Sequence, residues 1–179
     1  MHKEIFRVAL IGPESSGKTT LAIRLAGHYH TCWVPEFARD FISTLKRPYT
    51  KEDILYCAEA QIKSENLFLA MAQEIIFCDT ELIVIKIWLL DLYGECPAWL
   101  DEIIEANKYD LYILTKPDIP FVDDPVRENP LRRDYFFDLY KSELEKRNFR
   151  YEIIEGENDM RLNNAIEKIN MHFKNSVSN

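Results

Sequence analysis

Apolar residues in this chain fall into short unbroken runs, separated by longer stretches where they recur every three or four positions. Ile5–Ile11 is apolar on both faces apart from Arg7 and ends at a glycine, as a central parallel strand does. Lys18–Tyr29 predicts a helix with Leu21, Ala22, Leu25 and Ala26 on one face. Cys32–Val34 reads as a second short strand, stopped by Pro35, and Glu36–Leu45 as helical. A long helix then opens after Pro48, with Thr50 as N-cap and Asp53 three residues in, and runs to about Gln73. Ile75–Asp79 is a third strand, ending in a carboxylate. Thr80–Tyr93 and Ala98–Ala106 predict helices broken at Gly94 and Pro97. Leu111–Leu114 is a fourth strand. Prolines 117, 120, 125 and 130 make Lys116–Asn129 an irregular loop. Leu131–Arg147 is a charged amphipathic helix, Tyr151–Ile154 a fifth strand and Asp159–Phe173 a closing helix.

Strands that alternate with helices throughout imply an α/β fold, a parallel sheet of five strands with helices on both faces. With 179 residues and no internal repeat or linker, the chain predicts one domain over 1–174 and a frayed tail over 175–179. Nearly half the residues are apolar, enough for a buried core. The net charge of −8 argues against a non-specific nucleic-acid binder, which needs a basic face. Cys32, Cys57, Cys78 and Cys96 form no C-x-x-C pair and read as small buried hydrophobes in a reducing, cytoplasmic setting. The N-terminus lacks the apolar stretch of a signal peptide, and the run Leu82–Leu92 is too short to span a bilayer and contains Lys86 and Asp91. A membrane role is not expected.

The chemistry centres on residues 12–19, Gly-Pro-Glu-Ser-Ser-Gly-Lys-Thr, between the first strand and the first helix. Gly12, Gly17, Lys18 and Thr19 meet the spacing G-x-x-x-x-G-K-[ST]. Glycines let the backbone wrap round phosphates, so that N–H groups of Glu14, Ser15, Ser16, Gly17, Lys18, Thr19 and Thr20 point inward. The helix N-terminus adds a field that favours negative charge. Lys18 is expected to reach the β- and γ-phosphates of ATP, and the Thr19 hydroxyl to ligate Mg²⁺. Only five glycines occur in the chain, so a chance match in this strand–turn–helix context is a poor alternative. The class is therefore a P-loop NTPase.

Asp79, at the end of an apolar strand, is expected to hold Mg²⁺ with Thr19, and serves equally as a helix N-cap. Glu36 follows the second strand and should lie near the γ-phosphate, where a carboxylate takes a proton from a hydroxyl. Arg39, one turn on, can bind an anionic or polar group. The bland reading is a helix-terminal Glu in an i,i+3 ion pair with Arg39. The loop Pro117–Arg133 carries Asp118, Asp123, Asp124, Arg127, Arg132 and Arg133, the composition of an arginine-bearing lid for phosphoryl transfer or of a solvated loop with local ion pairs. The charges of Lys141–Arg150 read as a solvated helix face. Trp33, Trp88, Tyr93 and Trp99 are core aromatics or a stacking wall, and His28 and His30 suggest no metal cluster.

Four segments, Gly12–Thr19, Pro35-Glu-Phe-Ala-Arg39, Cys78-Asp-Thr-Glu81 and Phe121-Val-Asp-Asp-Pro-Val-Arg127, resemble the AAA-type P-loop kinase domain of the bacterial NadR family. The resemblance runs from residue 5 to about residue 170. It implies a ribosylnicotinamide kinase that uses ATP and Mg²⁺, with Lys18, Glu36, Asp79 and Arg127 catalytic. The acceptor site would draw on Glu36, Arg39, Asp79, Trp88 and Asp123. The family's adenylyltransferase and DNA-binding domains have no counterpart in these residues, so transcriptional regulation is not carried over. Position 81 is Glu where the family pattern has Asp. Two other functions stay open: a kinase for another nucleoside or small alcohol, and a nucleotide switch with no small-molecule acceptor. Oligomeric state is not legible.

Overall fold

The computed structural model describes residues 5–125 and 127–177, with side chains to Phe173. Five strands form one sheet: β1 (Phe6–Ile11), β2 (Trp33–Val34), β3 (Ile75–Asp79), β4 (Leu111–Thr115) and β5 (Tyr151–Ile154). Their order is β2-β3-β1-β4-β5, and every pairing is parallel. β1 lies at the centre because its residues are buried on both faces apart from Arg7. From β1 the chain first builds the sheet to one side, through β2 and β3, and then crosses to the other side for β4 and β5. The crevice at the carboxyl end of β1 is therefore the switch point at which open α/β sheets bind ligands.

Period-two alternation divides the core. Phe6, Val8 and Leu10 of β1, with Ile75, Phe77, Leu111 and Ile113, face α1 (Lys18–His28) and α7 (Asn158–Val177). Ala9, Ile11, Ile76, Cys78, Tyr112 and Leu114 face the opposite layer. That layer holds α2 (Phe37–Thr44), α3 (Lys51–Leu69), α4 (Leu82–Tyr93), α5 (Ala98–Ala106) and α6 (Arg133–Lys146). Arg7 belongs to this second face. Its guanidinium meets Glu65 of α3 at 3.2 Å, bonds Asn107 at 2.7 Å and lies 4.5 Å over the Tyr109 ring.

Most element limits agree with the sequence to within one or two residues, and those of α3, α4 and α7 bear comment. α3 ends at Leu69 rather than near Gln73. Its start is as expected, because Thr50 and Asp53 form a capping box. α4 begins at Leu82, since Thr80 has φ 75° and cannot be helical. α7 continues to Val177, four residues past the expected end, while Ser178 and Asn179 of the expected tail lie outside the described residues.

The charges of α6 are not a uniformly solvated face. Lys141 and Glu145 pair at the surface, but the side chains of Glu143 and Arg147 are largely covered. They close on Lys86, the single cation in the apolar helix α4. Its Nζ donates to Asp101 at 2.7 Å and to Glu143 at 2.5 Å, while Arg147 Nε meets Glu143 at 2.8 Å and its guanidinium also reaches Asp101. Lys86 is 5% exposed. The N-terminal two turns of α4 are therefore apolar almost all round because they are covered, with the buried Lys86 paired by Asp101 of α5 and Glu143 of α6. Removing one member leaves a buried charge underpaired, which is strongly destabilising. Lys86→Met should lower the unfolding free energy by roughly 3 kcal/mol in urea titration. Lys86→Met with Glu143→Leu should recover most of that loss. A single variant as stable as the parent would show that the cluster contributes nothing.

Candidate active site

β1 ends at Ile11, and the chain reverses through Gly12–Gly17 into α1. Three features fix the loop. Gly12 has φ 146°, and a Cβ there would lie 2.4 Å from Thr115 Oγ1 and 2.7 Å from the Thr115 carbonyl. Ser16 is buried, and its hydroxyl bonds the Pro13 carbonyl at 2.7 Å and Thr115 Oγ1 at 2.6 Å. Gly17 takes φ 81°, the left-handed region that favours glycine, and turns the chain into α1. The Ser16 side chain thus serves the loop itself, and its N–H is the group left for a phosphate. Lys18 Nζ lies across the mouth of the loop, donating to the carbonyls of Gly12 (2.9 Å) and Pro13 (3.0 Å). These neutral acceptors can be exchanged for phosphate oxygens.

The loop opens on a cavity of about 200 Å³. Gly12, every residue from Glu14 to Thr20, Glu36, Arg39, Trp88 and Arg127 line it. Asp79 lies just outside this lining, 1% exposed, level with Leu10 in the sheet. Asp123 is not brought in: it is exposed, and its carboxylate accepts the N–H of Asp124. Asp124 is the lid carboxylate that turns inward, forming an ion pair with Arg39. Tyr93 stays exposed, whereas Trp88 and Val84, one helical turn apart, both face the cavity.

The bland readings of the two carboxylates fail on geometry. Asp79 does not cap α4, because Glu81 does so: its two oxygens accept the N–H of Ile83 at 2.9 and 3.0 Å. Burial pushes the Glu81 carboxyl up to about 8, against those N–H bonds. The left-handed Thr80 makes this division possible, at a cost of about 1–3 kcal/mol for a β-branched residue in that region. Asp79 is left with both oxygens buried and unpartnered among the described residues. A buried carboxylate with no hydrogen bond of good geometry, and with the Thr19 hydroxyl beside it, fits a divalent cation. Burial holds Asp79 above the usual carboxylate range, against the pull of Lys18.

Glu36 is the N-cap residue of α2 but makes no capping bond. Gln61 Oε1 takes the Phe37 N–H instead, at 3.0 Å. The i,i+3 pair with Arg39 that the bland reading required is also not formed among the described residues, since Arg39 engages Asp124. Burial pushes the Glu36 carboxyl up to about 7; Lys18 and Arg39 pull it down, while Asp79 and Glu14 push it up. A carboxyl poised near neutrality in a cleft has the property of a general base.

The arginines of the lid divide by role. Arg127 lies 3.4 Å from Ser15 Oγ and also donates to the Val122 carbonyl. Arg133 holds the carbonyls of Ser15 and Ile119, each at 3.0 Å. Arg132 turns away to Asp91 (2.9 Å) and stacks on Tyr135 and Phe136.

Arg161 is the main residue the sequence reading missed. It is 5% exposed and donates to the carbonyls of Ser16 and Gly156, each at 2.6 Å, to Lys116 O at 3.2 Å, and to Asp118. The one available signal was an arginine in the first turn of a helix, where the dipole disfavours it. Tyr49, Phe136 and Tyr140 also line the cavity. Nothing in their local sequence separates them from core aromatics.

Comparison with known proteins agrees with this geometry. The trifunctional NAD biosynthesis/regulator protein NadR of Escherichia coli K12 is 26% identical over 171 residues, 90% of this chain and 41% of NadR. The Salmonella typhimurium protein of the same name is 25% identical over the same length. The chain thus spans about two fifths of the length of these curated relatives. Among solved structures, a NadR protein in complex with NR superposes with a TM-score of 0.78 at 23% identity, covering 95% of this chain and 52% of that one. A deoxyadenosine kinase from M. mycoides gives 0.65 at 13% identity, covering 93% of this chain and all of that one. The fold is that of a P-loop kinase. Residues 7–161 match the AAA_28 family, described as an AAA domain, and the chain belongs to that family.

Proposed function

We propose that the protein is an ATP-dependent kinase that phosphorylates nicotinamide riboside to nicotinamide mononucleotide. The observation that carries this is Glu36: a carboxyl near neutrality, free of any capping role, in the same cavity as the phosphate loop and Lys18. A base beside the γ-phosphate suits an acceptor hydroxyl, and the nucleoside panel below separates that use from activation of water in a hydrolysing switch. NadR proteins, one of them solved with NR, supply the acceptor on this reading.

In the reaction the acceptor hydroxyl oxygen forms a bond to the γ-phosphorus, and the bond from that phosphorus to the β–γ bridging oxygen breaks, releasing ADP. Glu36 takes the hydroxyl proton. Lys18 leaves the Gly12 and Pro13 carbonyls for the phosphates. Loop N–H groups and Arg127 spread the developing charge. Thr19 and Asp79 would hold Mg²⁺, which when bound neutralises charge on the β- and γ-oxygens. Trp88, with Tyr49 edge-on to it at 5.0 Å, offers an aromatic face to a cationic nicotinamide ring. Arg39, engaged by Asp124, presents little free charge to an acceptor phosphate, which favours a nucleoside over a nucleotide.

Incubation with Mg-ATP and a panel of nicotinamide riboside, uridine, cytidine and adenosine should give nicotinamide mononucleotide as the main product. Phosphorylation of another nucleoside alone would keep the kinase and remove this substrate. No product from any would favour the switch.

Glu36→Gln should lower kcat by about a hundredfold or more. The base acts deprotonated, so kcat/KM of the parent should climb as pH rises through about 7 and then level off. The variant should lack that limb. Linkage gives stability the opposite sign: the folded state binds the Glu36 proton more tightly than the unfolded chain, so stability falls as pH rises from the ordinary carboxyl range through about 7. Thermal melts of the nucleotide-free protein should show this fall, weakened in Glu36→Gln. An unchanged pH–rate profile in the variant would remove Glu36 from the chemistry.

Lys18→Ala should keep the fold, since its bonds are to loop carbonyls at the mouth of the cavity, and should abolish turnover. Normal phosphorylation by a folded Lys18→Ala protein would overturn the assignment of the loop.

A further inference from the structure

Glu14 puts an acidic side chain inside a loop built to bind an anion. Its carboxylate accepts backbone N–H groups from the far side of the cavity: Glu128 at 3.0 and 3.2 Å, and Asn129 at 2.9 Å. The next residue repeats the pattern, with Ser15 Oγ accepting the Val122 N–H at 2.9 Å. Arg127 lies in sequence between these anchor points, and its guanidinium reaches Ser15 Oγ. Beyond the latch, the Glu128 carboxylate accepts Tyr49 OH at 2.7 Å, and the Tyr49 ring packs edge-on against Trp88. A continuous series of contacts therefore runs from the phosphate loop through the lid backbone to the aromatic wall of the cavity.

A carboxylate here opposes nucleotide binding by like-charge repulsion, and the N–H groups it accepts offset that charge only in part. Its position makes sense if it does a second job. We infer that Glu14 is a positioning residue that couples the phosphate site to the acceptor site. By holding the backbone of Glu128 and Asn129 it sets Arg127 over the loop and, through Glu128, seats Tyr49 against Trp88. Its effect on turnover rests on the kinase reading above; the latch itself does not.

The test uses the full chain as parent, Glu14→Gln and Glu14→Ala. Gln keeps one carbonyl acceptor for the lid amides, and Ala keeps none. Amide hydrogen exchange should find Glu128 and Asn129 protected in the parent. A non-hydrolysable ATP analogue with Mg²⁺ should slow exchange further in the peptide carrying Arg127. In Glu14→Ala the protection should be lost, and the analogue should still bind but leave that peptide unchanged. In turnover, Glu14→Ala should lower kcat by about 10- to 100-fold while KM for ATP stays level or falls, because a repulsive charge has gone. Glu14→Gln should restore part of kcat. Three results overturn the proposal: unchanged exchange at Glu128 and Asn129 in Glu14→Ala, an unchanged kcat, or a rise in KM for ATP that accounts for the whole loss. If the parent phosphorylates nothing in the nucleoside panel, the kinase reading falls and the exchange measurements alone decide whether the latch answers to nucleotide.

Discussion

The site depends on one contact without slack. Gly12 lies so close to Thr115 that no side chain fits between them. Thr115 ends the neighbouring strand and also bonds the Ile11 carbonyl at 3.2 Å and the Ser16 hydroxyl. The phosphate loop is thus wedged against β4 before any ligand arrives. A loop free to reorganise would lose binding energy to ordering itself, and this one has been ordered by the sheet. The same wedge fixes the start of α1, so the orientation of Lys18 and Thr19 follows from how two strands meet.

Around that fixed loop several carboxylates crowd into one cleft. Glu36 and Asp79 lie near Lys18, Glu14 lies near Glu36, and Arg39 is drawn off by Asp124. Burial raises both Glu36 and Asp79, and each is held partly in check by Lys18. Two carboxylates in one crevice with unlike surroundings are suited to different work. Asp79 is sealed in, its oxygens without a hydrogen-bond partner among the described residues, while Glu36 faces the cavity. The first arrangement suits a cation held in place, the second a proton that comes and goes.

Strand and helix positions were legible because burial imposes periodicity, and the phosphate loop because its backbone path admits few residues. Asp79 was legible as a strand-end carboxylate, yet its freedom from capping was not. That depends on Glu81 reaching back to Ile83 past a strained Thr80, which no propensity anticipates. Lys86 looked like an interruption in an apolar run and proved to be the hub of four charges from three helices. Charge spacing along a helix shows which residues share a face and says nothing of what packs there. The shift from Asp123 to Asp124 has the same origin, since an irregular loop has no period from which facing can be read.

Arg161 carries a consequence of another kind. The cradle occupies the first twenty residues, yet one of its carbonyls is held by a guanidinium from the last helix, which also binds the loops after β4 and β5. During synthesis the phosphate loop leaves the ribosome long before its clamp exists. A partly made chain thus lacks the tie that keeps the loop in register, even though every residue of the motif is already present. The phosphate loop is tied to both ends of the domain's sequence, and the carbonyl clamp on Ser16 is in place only once α7 has closed on the sheet.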